Sequence, residues 1–83
     1  MNRQQTLNEY IAAREYSDDM AGDFAQDAAA DSFFPRQVTA NNDGFIKVFN
    51  YLYFSRKVRS AVIDAFIECW REYYKTTTGR SWD

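Results

Sequence analysis

Apolar residues recur at helical spacing along nearly the whole chain, and no segment alternates as a half-buried strand would. Leu7, Tyr10 and Ile11, with Arg14, share one face and predict a short helix over about 5–14. A second helix is expected over about 18–30, with Ser17 as its N-cap and Asp18 and Asp19 in its first turn, where carboxylates favour the helix dipole. Met20, Phe24 and Ala28 lie along its inner side, and Ala21, Ala25 and Ala29 permit close helix approach. Pro35 disfavours helical geometry at Phe34 and breaks the pattern, so Phe33 or Phe34 is expected to plug the core from a connection.

Asn41, Asn42 and Asp43 are candidate caps for a third helix over about 43–54. Its stripe is Phe45, Val48, Phe49 and Leu52, flanked by Ile46 and Tyr53. Ser55 is the expected cap of a fourth helix over about 56–76. On it Val58, Val62, Ala65, Phe66, Cys69 and Tyr73 share a face. Ile63, Ile67, Trp70 and Tyr74 widen that face to roughly 200°, more than a surface helix needs. The pattern predicts a compact all-α bundle of four to five helices with a long C-terminal helix. One helical domain is expected over 1–76 and a loose tail over 77–83.

Composition narrows the function more than the fold. Eighty-three residues allow one modest core, helped by seven Phe, six Tyr and two Trp. The absence of histidine removes Ser-His-Asp triads, imidazole acid–base chemistry and His-ligated metals. A lone cysteine, Cys69, excludes an internal disulfide framework and a Cys-based zinc site. Its place inside the apolar arc reads as inert packing. No apolar run is long enough for a membrane span, so a cytoplasmic protein is expected, without cofactor, metal or small-molecule substrate.

The net charge of −2 hides an uneven distribution. Residues 1–34 carry seven acids against two basic groups, a net of −5; residues 35–83 carry eight basic groups against five acids, a net of +3. Asp19, Asp23 and Asp27, spaced i, i+4 and i+8, line one side of the second helix, where like charges cost a few tenths of a kcal/mol per pair. They are either a solvated face or a contact for a basic partner. A straight helix face offers too few oxygens for calcium. Arg56, Lys57 and Arg59 cluster near Tyr51 and Phe54, the raw material of a protein, self or nucleic-acid contact, or simply a solvated face. Asp64 and Glu68 with Arg71 and Lys75 are ordinary surface patterning, and no cleft for paired carboxylates is indicated. Trp82, beyond the last helix, either folds back or anchors a partner.

The string from Phe24 to Pro35 and the string from Phe66 to Tyr73 resemble the YozE-like family of small bacterial proteins with a sterile-alpha-motif-like helical fold. Leu7, Tyr10 and Ile11, then the pair Tyr51-Leu52, then Phe66, Glu68, Trp70 and Tyr73 follow that family's order over about residues 6–75. The resemblance implies an all-α bundle in a bacterial or mobile-element cytoplasm, with no known catalytic activity and no cofactor. The segment from Arg56 to Arg59 is more basic than the family's pattern.

The resulting expectation is a non-enzymatic protein-protein interaction module. Its acidic surface would be Asp19, Asp23 and Asp27, and its basic surface Arg56, Lys57 and Arg59. A contact between two such different surfaces is heterologous and would build open chains. A weak nucleic-acid-binding accessory protein is the alternative, favoured by a continuous basic face through Arg36, Lys47, Arg56, Lys57 and Arg59. A small phage- or plasmid-encoded inhibitor protein with an acidic decoy face is a further one.

Overall fold

Thr6 opens the first helix, α1 (Leu7–Ala13), with a capping box: its hydroxyl accepts from Glu9 N at 3.1 Å while its own N–H donates to Glu9 Oε1 at 2.9 Å. The computed structural model describes residues 4–14, 18–35 and 37–82. Leu7, Tyr10 and Ile11 are buried as their spacing predicts. The Leu7 N–H also donates to the Val38 carbonyl at 2.9 Å, which ties the start of α1 to the connection after Pro35.

The second helix, α2 (Met20–Ala30), is capped by Asp19, whose carboxylate accepts from Gly22 N at 2.7 Å. The cap assigned to Ser17 therefore belongs to Asp19; Ser17 itself lies outside the described residues. The buried face is Ala21, Phe24, Ala25 and Ala28. Met20 is not on it: at ~100° per residue it falls about 90° from the centre of that stripe, and it is 46% exposed. Ala29 falls off the other edge and is exposed too. Of the two connection phenylalanines, Phe34 is the plug, packed edge-on against Phe24 and Tyr51. Phe33 is 83% exposed.

Asn41 caps the third helix, α3 (Asn42–Asn50), by accepting from Gly44 N at 2.7 Å. Glycine is required at 44, because a Cβ there would stand 2.2 Å from the Thr39 carbonyl oxygen. The helical run expected to end near 54 continues past Asn50 as a π-helical turn, Tyr51–Ser55, closed by Arg56 N donating to the Tyr51 carbonyl at 3.0 Å.

The longest helix, α4 (Ser60–Thr78), starts four residues later than expected. Ser55 is consumed by the widened turn and caps nothing; Lys57 then takes a left-handed conformation, φ 51°, and Arg59 is the extended N-cap residue. Gly79, at φ 76°, ends α4 with its N–H on the Lys75 carbonyl, a left-handed C-cap. The boundary expected at 76 thus falls inside α4.

The tail beyond it is not loose as far as Trp82. That indole folds back on Tyr74, Phe45 and Trp70, with ring centroids 4.9, 5.1 and 5.6 Å away. α2 packs along α4. Phe66, Cys69, Trp70 and Tyr73 of α4 are completely buried and form the spine against which Leu7, Val48 and Leu52 close. The fold is an all-α bundle with a long C-terminal helix, and no strand occurs among the described residues. No helix in them is long and apolar enough to cross a membrane.

Candidate functional site

The buried titratable groups are held toward their neutral forms. Burial pushes the Cys69 thiol up to about 12, with Glu72 adding to the shift, so thiolate is scarce near neutral pH. Burial, then the nearby carboxylate of Glu72, pushes Tyr10 up to about 12. Burial likewise raises Tyr73 to about 12, and its hydroxyl donates to the Gln5 carbonyl at 2.6 Å. Glu72 accepts from the Tyr10 hydroxyl and from Arg14 Nε at 3.0 Å, a network that ties α1 to α4. Glu68 faces solvent and pairs with Arg71 at 3.6 Å, and Asp64 is exposed on the same outer side of α4. Among the described residues, no group of three or more acidic or sulfur ligands could hold a metal ion.

The surface is more informative. Of the acidic row, Asp19 is engaged as the cap of α2, whereas Asp23 and Asp27 are exposed. Asp27 Oδ2 and Asp31 Oδ2 each lie 3.4 Å from Arg56 Nη1. Asp31 also accepts from the Tyr51 hydroxyl at 2.6 Å. One basic candidate, Arg56, therefore sits beside one acidic candidate, Asp27. Arg56, Lys57 and Arg59 lie in the irregular link between the π turn and α4, where Arg56 is helical, Lys57 left-handed and Arg59 extended, with Lys57 and Arg59 exposed. The continuous basic face is interrupted, because the charge of Arg56 is met by two carboxylates. Lys47 is exposed on α3, and Arg36 lies outside the described residues. Trp82 is half-buried on core rings and is no free anchor. Its ring also packs edge-on against Tyr74 at 4.9 Å.

Two surface features escape the sequence reading. The first is an aromatic ridge along the outer side of α3 and the π turn. Ile46 is 52% exposed, Tyr53 54% and Phe54 64%, with the half-buried Phe49 among them. Phe49 and Tyr53 stack nearly parallel, 9° apart in plane at 5.7 Å, and Tyr53 meets Phe54 edge-on at 5.0 Å. Its traces in the sequence are that Ile46 and Tyr53 flank the buried stripe and that Phe54 stands beside the basic cluster. The second is a groove of about 580 Å³ between α2 and the start of α4. Its apolar lining comes from Met20, Phe24, Ala61, Val62 and Ala65, and Asp23 and Asp27 stand at its rim. Met20, expected on the inner side of α2, is exposed and forms one wall of it.

A family model described as YozE SAM-like fold matches residues 6–75, which takes in α1, α2, α3 and most of α4. No curated protein and no solved structure matches the chain.

Proposed function

The chain belongs to the YozE SAM-like fold family, and on that premise we propose that it is a non-enzymatic protein-interaction module. The observation that carries the reading is the aromatic ridge. Large apolar side chains left on one face of a small domain mark contact surfaces, and aromatic residues beside arginine and lysine are the usual anchors. Here Tyr53 and Phe54 are more than half exposed, and Arg56, Lys57 and Arg59 follow them directly. The Cys69 thiol, pushed up to about 12 by burial, fits the same reading. The reading includes a reducing cytoplasmic setting, which the single buried thiol of Cys69 suits.

A photo-crosslinking residue placed at 54 in cells tests it, with position 68 on the outer side of α4 as control. Discrete protein adducts from 54 and none from 68 are expected. Equal yields, or none from 54, would refute the reading. A second reading, weak binding of single-stranded nucleic acid, is favoured by the parallel Phe49–Tyr53 stack, on which bases could continue. Fluorescence anisotropy of a labelled oligonucleotide separates the two. A rise that Tyr53→Ala abolishes would favour nucleic acid; no rise at low salt would exclude it.

A further inference from the structure

We propose that the groove between α2 and α4 receives the tip of the aromatic ridge of a second copy of this chain, and that the two copies do this reciprocally. The proposal rests on the ridge being an interaction surface and adds its partner. Two features of opposite character lie side by side. The groove is apolar inside and acidic at its mouth, through Asp23 and Asp27. The ridge tip is apolar at Tyr53 and Phe54 and basic at its base, through Lys57 and Arg59. Each therefore offers what the other lacks. A bare acidic groove would accept any basic apolar segment; the segment that matches it in both respects is on the same molecule.

The ridge does not fill its own groove. Leu52 is buried and Tyr53 is stacked on Phe49, so the turn is held against α3 and Phe54 stays 64% exposed. The groove is the size of pockets that enclose a few side chains. The Asp27–Arg56 pair joins the base of the ridge to the rim of the groove. Complementary features on one shared face close a pair around a two-fold axis, ridge into groove twice. Separate faces would give open chains instead. Among the described residues, Asp23 and Lys57 have no ion pair of their own, so a contact between them in the dimer breaks nothing already made.

Light scattering across a wide concentration range tests this with the full chain. The molar mass is expected to rise from 9.8 kDa to a plateau at twice that value, and high salt should shift the rise to higher concentration. Phe54→Glu on the ridge and Ala61→Arg in the groove should each weaken the rise at least tenfold. Both positions are exposed, and thermal melts of each variant confirm that folding is kept. Asp23→Lys should weaken association, and the double reversal Asp23→Lys with Lys57→Asp should restore it. Aspartate tolerates the left-handed conformation at 57. A monomer at every concentration overturns the proposal, while adducts at 54 would still uphold the ridge as an interaction surface. Growth past the dimer overturns the two-fold arrangement. Loss through Phe54→Glu but not through Ala61→Arg or Asp23→Lys overturns the groove and leaves the ridge standing. Indifference to Phe54→Glu, with no adducts at 54, removes both.

Discussion

The aromatic residues of α3 and its π turn divide into two populations with opposite fates. On the inner side Phe45 stacks on Phe66 at 5.2 Å and meets Trp70 edge-on at 5.6 Å, inside a seam that runs on to Tyr73. On the outer side the half-buried Phe49, stacked on Phe45 at 6.1 Å, leads to Tyr53 and Phe54, which face solvent. Ring–ring geometry is similar in both. The difference is coverage: α4 closes the inner seam, and no described element closes the ridge. Similar local chemistry therefore yields stability on one side and an available surface on the other.

The largest contrast should come from truncating the seam. Trp70→Ala removes a fully buried indole and should cost about 3–5 kcal/mol, close to the whole stability of a domain this small, read by urea denaturation. Alkaline titration comes next. Tyr10, Tyr73 and Cys69 are each raised to about 12 in the folded state, so their neutral forms favour the fold. Their contribution is fully present below the unfolded pKa values, roughly 9–10, and is lost as pH rises toward about 12. Thermal midpoints should fall across that window, and Tyr73→Phe should flatten the fall; an unchanged slope in that variant would break the assignment.

Gly44→Ala should cost about 1–3 kcal/mol, because its methyl group must displace the Thr39 carbonyl. Thr6→Ala removes the cap of α1 and should cost about 1 kcal/mol. The ridge sets the lower bound. Phe54→Ser should change stability by no more than about 0.5 kcal/mol while changing association, and a larger loss would show that the ridge is part of the core.

The inner population was readable from spacing alone. Val48 and Leu52, then Phe66, Cys69 and Tyr73, recur at helical intervals and are all buried. The family order through Trp70 agrees with the match over residues 6–75. Periodicity does not reveal which part of a wide apolar arc is covered, so it gives no sign that Met20 and the ridge are exposed. It carries no signature for a π turn either, so the spacing alone starts α4 at 56 instead of 60. The serine at 55 is a good cap by type, but the backbone there never turns extended. The Arg56 pairings with Asp27 and Asp31 span 29 and 25 positions, beyond any local pattern. That is why residues from two charge clusters that look separate along the chain, Arg56 and Asp27, meet in space.

The π turn at Tyr51–Ser55 also governs how this chain tolerates insertions and deletions. One extra residue within a helical turn shifts the phase of everything after it. Leu52 points inward, yet Tyr53 and Phe54 are delivered outward together and the link to α4 leaves at its own angle. Deleting a single residue from this segment would return it to ordinary α-helical pitch and swing the following side chains by about 100°. Such a deletion would turn the ridge away from its present face, so length at this turn, more than the identity of any one residue in it, sets what the surface displays.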